Sequence, residues 1–289
     1  MHELTSPKEM LAWSRAERAR GRRIGFVPTM GFLHEGHLQL VDRAKQRAEH
    51  VVMSVFVNPL QFGPTEDLAQ YPRDLERDRA LAVERGVDCL FVPDTAAMYP
   101  TEPLVRVSPG PMADTLEGAA RPGHFAGVLT VVAKLFHIVE PDIAVFGRKD
   151  FQQAMLVRRL AVDLNFGLEV DVAPTARELD GLALSSRNTY LKGDDRRAAL
   201  ALSRALRAVE QAWRGGEADP GPLARRGLEV LRAPGVAPEY LALVDEQMRS
   251  VARVDARTVV LVAAKVGKTR LIDNVVLGEG IAADPAVRA

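Results

Sequence analysis

The chain has 289 residues, 47% hydrophobic and 26% charged, which is ordinary for a globular protein with one substantial core, or one large and one small. Lys plus Arg equals Asp plus Glu, 38 against 38, so nucleic acid is not expected as a main partner. The longest apolar runs, Val51 to Val57 and Thr258 to Ala264, have the length of strands, and no membrane span is expected. No secretory signal is recognisable, and we expect a cytoplasmic protein.

Short apolar runs alternate with amphipathic segments through the first 175 residues. Strands are predicted at Ile24–Pro28, Val51–Asn58, Cys89–Pro93, Ile143–Gly147 and Leu168–Pro174. Helices are predicted at His37–Glu49, Arg73–Arg85, Phe125–Glu140 and Asp150–Asn165, where the apolar spacing is near 3.6. Apolar strands alternating with helices indicate an α/β fold with a doubly wound parallel sheet. Such sheets bind ligands at the carboxyl ends of their strands, so the loops there are the candidate site.

The character of the chain changes after Thr175. A helix is predicted at Asp194–Trp213, then a Gly/Pro-punctuated segment and a second helix at Leu223–Arg232. Strands are predicted around Tyr240–Val244, Val259–Ala264 and Thr269–Asp273. We therefore expect two domains, residues 1–175 and a smaller C-terminal α+β domain of residues 176–289.

The most informative segment runs from Pro28 to His37, after a predicted strand and into a predicted helix. Gly31 and Gly36 let backbone approach a ligand, and a helix start offers free N–H groups and a positive dipole end. His34 and His37 can present both imidazoles to one phosphate chain and donate to a leaving pyrophosphate. A zinc pair and simple helix capping are the alternatives, but no third metal ligand follows at helical spacing. This pattern favours a nucleotide phosphate site.

The string Pro-Thr-Met-Gly-Phe-Leu-His-Glu-Gly-His resembles the nucleotide-binding motif of the pantothenate synthetase (pantoate–beta-alanine ligase) family. That family is a branch of the His-x-Gly-His nucleotidylyltransferase superfamily, which includes the class I aminoacyl-tRNA synthetases. The resemblance implies a Rossmann-like domain that binds ATP and pantoate. It also implies ATP contacts from Met30, Gly31, His34, Gly36 and His37.

A second loop, Phe56 to Gly63, follows the second predicted strand. Asn58 and Gln61 carry amides that donate to hydroxyl or carboxylate oxygens without adding charge. A simple Asn-Pro turn that ends the strand is the alternative explanation. However, Phe-Val-Asn-Pro-x-Gln-Phe resembles the next sequence block that is typical of the family. The resemblance implies that Gln61 and Asn58 bind pantoate or β-alanine. Asp78 matches a residue associated with Mg²⁺, although an acidic residue on a helix is usually only solvated.

A third block begins at Gly147 and again joins a strand to a helix. Lys149 supplies a point charge for a triphosphate, and Asp150 can accept from ribose hydroxyls; helix capping by Asp150 beside a solvated lysine is the alternative. The family block is Gly-Glu-Lys-Asp-Tyr/Phe-Gln-Gln, which implies that Gly147, Lys149 and Asp150 hold ATP and Gln153 holds pantoate. Arg148 departs from the block because glutamate is usual there, and no role is carried onto it.

A fourth block runs from Pro174 to Leu191, at the predicted domain junction. Ser185, Ser186 and Arg187 offer two hydroxyls and a planar fork suited to phosphate oxygens, although an isolated Ser-Ser-Arg would be read as surface loop. In the family this block grips the β- and γ-phosphates. Its place between the two predicted domains suits a mobile clamp that excludes water, so the resemblance implies that the C-terminal domain acts as a lid. The resemblance further implies that the backbone near Ala176 and Leu184 frames the adenine.

The resemblance extends through Arg121 to Gly127, where His124 is expected to pack near the pocket, and on to Asn274. It implies a two-step reaction of ATP, pantoate and β-alanine with Mg²⁺, by way of a pantoyl-adenylate, and a homodimer. His34, His37, Lys149 and Arg187 would supply the catalysis. A plain nucleotidyltransferase and a non-catalytic nucleotide-binding module are the rival hypotheses.

Overall fold

The computed structural model describes residues 1–64 and 66–287, which divide by their contacts into two compact units. The first unit comprises Met1–Gly147 and Gln152–Ala173, and the second comprises Arg148–Phe151 and Pro174–Ala289. The short segment Arg148–Phe151 therefore belongs to the second unit, although its chain neighbours on both sides belong to the first. The sequence does not reveal that this segment belongs to the second unit, because the segment interrupts no apolar run and no helical pattern.

Up to residue 173, strands and helices alternate, except that three helices lie between the fourth and the fifth strand. In order they are β1 (His2–Leu4), α1 (Pro7–Ala19), β2 (Ile24–Thr29), α2 (Glu35–Lys45), β3 (His50–Val55), α3 (Leu75–Arg85), β4 (Cys89–Phe91), α4 (Thr95–Met98), α5 (Glu117–Ala120), α6 (His124–Val139), β5 (Ile143–Gly147), α7 (Phe151–Asp163) and β6 (Glu169–Ala173). Short 3-10 turns lie at Pro59–Gln61, Pro111–Ala113 and Arg148–Asp150.

The first unit is built on a six-stranded sheet in the order β1-β4-β3-β2-β5-β6, and every adjacent pair is parallel. The chain runs from β2 outward through β3 to β4, then returns to the other side of β2 as β5. The direction of winding thus reverses between β2 and β5, and a doubly wound sheet binds ligands beyond the carboxyl ends of such strands. The predicted parallel α/β fold is confirmed.

One face of this sheet packs against α2 and α3. Its buried core includes Val27, Val41, Met53, Leu90 and Val145. Val41 belongs to α2, and the other four are strand residues. Along the strands they alternate with buried neighbours such as Phe26 that point away from this cluster, so both faces of the sheet are covered. Burial on both faces explains why the strands read as continuous apolar runs.

The second unit contains β7 (Arg177–Glu178), α8 (Asp194–Ala198), α9 (Leu200–Arg214), α10 (Pro220–Leu231), β8 (Val236–Val244), β9 (Val259–Val266), β10 (Thr269–Val276) and β11 (Ala286–Val287). An antiparallel sheet in the order β10-β9-β8 packs against α9 and α10. A separate short ladder pairs β11 with β7 in parallel. The predicted α+β character of the C-terminal part is confirmed.

Some elements differ from the sequence prediction. The single helix predicted at 194–213 is two helices, because Leu202 N–H donates to the carbonyl of Ala199, three residues back rather than four. β1 and α1 were not predicted, although Ser6 caps α1 and Pro7 opens it. Within the described residues, no helix combines the length and the apolar character needed to cross a membrane.

Candidate active site

The loop after β2, residues 30–34, is held in place by α3. Both carboxylate oxygens of Asp78 accept backbone N–H groups of this loop, from Leu33 at 2.7 Å and from Phe32 at 2.8 Å. The guanidinium of Arg77 donates to the Leu33 carbonyl at 2.8 Å and lies 5.4 Å from the centre of the Phe32 ring. Burial raises the pKa of Asp78, while the two N–H groups act in the opposite direction. Asp78 is thus the anchor of the loop.

Gly31 is required at its position in this loop for two reasons. Its φ is +78°, a conformation that side-chain-bearing residues rarely adopt. An added Cβ would also lie 2.8 Å from Val55 Cγ1 and 2.9 Å from Asp78 Oδ2. The glycine therefore lets the loop fold down onto the Asp78 carboxylate.

His34 and His37 stand together at the start of α2. Their rings stack with centroids 4.0 Å apart and an angle of 24° between the planes. The backbone N–H of His34 donates to Nδ1 of His37 at 3.3 Å. Because Nδ1 accepts, the proton of the neutral His37 ring lies on Nε2, which makes that atom a hydrogen-bond donor. The arrangement presents a donor at a helix N-terminus, where anions bind.

The loop after β3 brings the predicted amides together. Asn58 Nδ2 donates to Gln61 Oε1 at 3.1 Å and to the carbonyl of Gly127 at 3.2 Å, while Tyr99 Oη donates to Asn58 Oδ1 at 2.9 Å. Gln61 Nε2 lies 3.2 Å from the sulfur of Met30. The β2 and β3 loops therefore meet, as predicted from the carboxyl ends of adjacent strands.

Gly127 allows this loop to lie directly against α6. A Cβ at this position would lie 2.1 Å from the carbonyl oxygen of Leu60. The close approach also brings the Gly127 carbonyl within reach of Asn58. The orientation of the Asn58 amide thus depends on a glycine nearly seventy residues later in the chain.

The backbone of Gln61 is fixed by a second set of side chains. His124 Nδ1 lies 2.9 Å from the Gln61 carbonyl, and Arg121 Nη1 lies 3.0 Å from His124 Nε2. Arginine only donates and a carbonyl only accepts, so His124 is neutral with its proton on Nδ1. Glu66 binds Arg121 through two contacts of 2.6 and 2.7 Å. Burial, followed by the charge of Arg121, lowers the pKa of His124 to about 4.

The two glutamines at the start of α7 differ in their surroundings. Gln152 is buried and its amide holds the 112–117 segment, through the N–H of Glu117 and the carbonyls of Met112 and Thr115. Gln153 is only partly buried, so its side chain is the better placed of the two to meet a ligand. Gly147 ends β5, the strand beside β2.

In the second unit, a short hairpin brings Ala176 and Leu184 together. Leu184 N–H donates to the Ala176 carbonyl at 2.9 Å, and both residues are buried. A 3-10 turn, Ser186–Tyr190, follows directly, and Ser185 caps it by accepting from Arg187 N–H at 3.2 Å. The residues predicted to frame adenine therefore adjoin those predicted to grip phosphates.

Lys149 and Asp150 lie in the same unit, on the segment 148–151. Lys149 Nζ is 3.9 Å from Asp150 Oδ1. Arg148 is buried and pairs with Glu279 and Asp284. Its charge is therefore neutralised inside the second unit.

The described side chains do not form a protein-built Mg²⁺ site. Among residues 1–64 and 66–287, no group of three His, Cys, Asp or Glu side chains is arranged to hold a metal ion. Asp78 is 1% exposed and both of its carboxylate oxygens accept backbone N–H groups. The predicted Mg²⁺ role of Asp78 gains no support from this geometry.

Sequence reasoning missed several supporting residues. It gave Asp78 no part in the loop, and it did not consider Tyr99, Arg77 or Glu66. The Arg-Pro-Gly-His block at 121–124 was noticed as part of a resemblance, but nothing in its spacing showed that it holds the Gln61 backbone. Each of these contacts joins residues far apart in the chain.

A doubly wound sheet with a glycine loop and paired histidines at its winding reversal is typical of nucleotide-binding α/β enzymes. The chain matches the family model described as Pantoate-beta-alanine ligase over residues 2–276. It is 50% identical over 273 residues to the pantothenate synthetase of Pelotomaculum thermopropionicum, across 94% of this chain and 97% of that protein. The chain belongs to the pantoate-beta-alanine ligase family, as its motifs predicted.

Solved structures agree with this membership. The pantothenate synthetase from Thermus thermophilus matches with a TM-score of 0.91 and 48% identity, over 96% of this chain and 99% of that one. The pantoate-beta-alanine ligase from Francisella tularensis, complexed with beta-gamma ATP and beta-alanine, matches with a TM-score of 0.82 and 34% identity, over 97% of this chain and 99% of that one.

Proposed function

We propose that this protein condenses pantoate with β-alanine at the expense of ATP, producing pantothenate, AMP and pyrophosphate. Membership of the ligase family over residues 2–276 carries the proposal. The meeting of Gln61, Asn58 and Met30 beside the paired histidines supports it, because a small hydroxy acid and a nucleotide then have adjacent sites.

In the first step, a carboxylate oxygen of pantoate attacks the α-phosphorus of ATP, and the bond to the β-phosphate oxygen breaks. The carboxylate is already a nucleophile, so no general base is needed. Catalysis then rests on alignment and on stabilisation of the charge that develops on the phosphates. His37 Nε2–H and His34 would donate to these oxygens, and Lys149 and Arg187 would add positive charge.

In the second step, the amine of β-alanine attacks the carbonyl carbon of pantoyl-adenylate. The carbon–oxygen bond to AMP breaks and the nitrogen loses a proton. Gln61 and Gln153 would hold the pantoyl hydroxyl and carbonyl groups by hydrogen bonds. Asn58, whose amide is buried and donates to Gln61 and Gly127, would act by orienting Gln61. The mixed anhydride must be kept from water until the amine arrives, which a closing second domain would provide.

The other residues proposed to contact ATP lie at strand ends and in the hairpin that joins Ala176 to Leu184. Met30, Gly31, Gly36, Gly147 and Asp150 would lie along the nucleotide, Ala176 and Leu184 at its adenine, and Ser185 and Ser186 at its phosphates. Mg²⁺ commonly keeps waters and substrate phosphates as ligands. The ion would therefore arrive with ATP rather than occupy a protein cage.

The proposal is tested by following two products separately. Pyrophosphate release should require ATP and pantoate but not β-alanine, whereas AMP release and pantothenate formation should require all three. Pyrophosphate release without any dependence on pantoate would instead support a plain nucleotidyltransferase. ATP binding with no pyrophosphate release would support a non-catalytic module.

A cytoplasmic location and a homodimer also stay proposals. The dimer is tested by light scattering of the purified full chain, where a mass near twice the 31.6 kDa of one chain is expected. A mass of one chain across the micromolar range would reject it. Location is tested by fractionating cells of the source organism.

A further inference from the structure

Arg148 lies in a buried cluster of four charged side chains within the second unit. Its Nη2 donates to Asp284 Oδ1 at 2.6 Å, and the other Asp284 oxygen accepts from Arg177 Nε at 2.8 Å. Arg177 also binds both oxygens of Asp273, at 2.7 and 2.9 Å. All four residues are buried, and two positive charges balance two negative ones. Breaking such a cluster leaves a buried charge without its partner.

Asn274, which contacts this cluster through Arg177, fixes the backbone of Lys149. Asn274 Nδ2 donates to the carbonyls of Arg148 and Lys149, at 2.8 and 2.9 Å. Arg177 donates to the carbonyl of Asn274 at 3.1 Å. Lys149 is thus held through its own carbonyl and through the side chain of its neighbour. The lysine side chain has a flexible four-carbon stem. The position of its ammonium group is therefore well defined only if the position of its backbone is well defined.

The acidic partners of Arg148 come from the last part of the chain. Both Glu279 and Asp284 lie beyond residue 276, where the match to the family model ends. This segment is fixed at two points. Ile281 N–H donates to Glu210 Oε2 at 3.0 Å, and Arg177 N–H donates to the Pro285 carbonyl at 3.0 Å, beside the β7–β11 ladder.

We propose that the C-terminal segment Glu279–Val287 is a positioning element for Lys149, acting through the ion pairs of Arg148 with Asp284 and Glu279. The inference rests on the proposed function, in which Lys149 binds the phosphates of ATP. None of the segment's residues needs to touch ATP. The segment instead keeps Arg148 and Arg177 neutralised, so that Asn274 can hold the Lys149 carbonyl.

The test uses Asp284→Asn in the full chain, with ATP affinity measured by calorimetry and with steady-state kinetics. We expect ATP to bind about tenfold more weakly, with KM for ATP raised in parallel and KM for pantoate unchanged. Calorimetry does not depend on the ligase reaction. A wild type that binds ATP but makes no pantothenate would therefore refute the proposed function without refuting this inference.

Asp171→Asn is the matched control. Asp171 is 8% exposed against 7% for Asp284, and it also has two arginine partners, Arg43 and Arg47. It lies in the first unit, on β6. Both variants should lower the thermal midpoint, but only Asp284→Asn should weaken ATP binding. Equal loss of ATP affinity in the two variants would mean that the cluster acts only through stability, which would overturn the proposal.

Three further variants keep the test decisive if Asp284→Asn does not fold. Glu279 is about half exposed, so Glu279→Gln should fold and should weaken ATP binding by a smaller factor, about twofold to threefold. Arg148→Lys keeps the charge and should retain more ATP affinity than Arg148→Gln. ATP affinity that is unchanged in Glu279→Gln and equal in the two Arg148 variants would overturn the proposal.

Discussion

At the scale of single residues, the site depends on hydrogen-bond donors whose direction is set by contacts with neighbouring residues. His37 Nε2 is a donor because Nδ1 already accepts the His34 N–H. Gln61 Nε2 contacts the Met30 sulfur, and its Oε1 accepts from Asn58. In both cases contacts within the protein orient the side chain that is proposed to meet the substrate.

Replacing His37 with alanine should lower ATP/pyrophosphate exchange by ~100-fold or more, because one preorganised donor to the developing phosphate charge is lost. The exchange is measured with labelled pyrophosphate in the presence of pantoate. His137→Ala is the control, since His137 is an exposed histidine in the last turn of α6. Near-normal exchange in His37→Ala would reject the catalytic role.

Gln61→Glu should raise KM for pantoate by ~10- to 100-fold. The substitution removes an amide donor and places a negative charge opposite the carboxylate of pantoate, which repels it. KM for ATP should change little, and initial rates with each substrate varied in turn make the distinction. Gln211→Glu introduces the same charge at an exposed position of α9. An equal rise in both KM values would indicate a general disturbance of the fold rather than a pantoate contact.

At the scale of elements, α3 determines the shape of the loop that joins β2 to α2. Neither the loop nor its helix contains the carboxylate that satisfies the N–H groups of Phe32 and Leu33. A buried N–H group without an acceptor is costly, so the loop conformation and the packing of α3 depend on each other. The histidines of α2 follow directly after this loop.

Asp78→Asn should lower the free energy of unfolding by about 1–3 kcal/mol. The amide NH2 replaces one of the two carboxylate oxygens, so one backbone N–H loses its acceptor and faces another donor. KM for ATP should rise as the loop loosens. Urea unfolding and steady-state kinetics measure the two effects. Asp88→Asn, just before β4, serves as a comparison because its side chain is more exposed. Unaltered stability of Asp78→Asn would contradict the anchoring role.

At the scale of the whole molecule, the buried neutral His124 links folding stability to pH. Its pKa is lowered from 6.5 to about 4, so between these values the unfolded chain binds a proton that the folded chain does not. Stability contributed by the neutral ring is therefore complete above pH ~6.5 and is lost as pH falls towards 4. The full loss amounts to about 3 kcal/mol.

This prediction is measured by urea unfolding at a series of pH values. His124→Gln can donate to the Gln61 carbonyl and accept from Arg121 but cannot titrate, which makes it the matched variant. The difference in unfolding free energy between wild type and variant should shrink or reverse as the pH falls from 6.5 to 4. A difference that stays constant through this window would show that the pKa of His124 is the same in the folded and the unfolded chain, which would contradict the prediction.

Much of the architecture could be predicted because its signals are local. Strands that are buried on both faces are apolar throughout, as in Ile143 to Phe146. The spacing of apolar residues that predicts a helix is likewise contained within one segment. The glycine loop and the paired histidines are likewise contiguous in sequence, so a strand, a turn and a helix start could be assigned together. β1 could not be predicted, because its three residues are too few to show the alternation of apolar and polar residues that is typical of a strand.

The sequence by itself determined the fold class, the family and the strand-end loops that carry the candidate ligands, since each depends on patterns within short contiguous segments. Only the tertiary structure decided that Asp78 anchors a loop, that His124 is neutral and holds Gln61, and that Arg148 is neutralised by the end of the chain. These roles arise from pairs separated by 45, 63 and 136 residues. A carboxylate or an imidazole acquires its role from the partners that folding brings to it, and no local pattern specifies those partners.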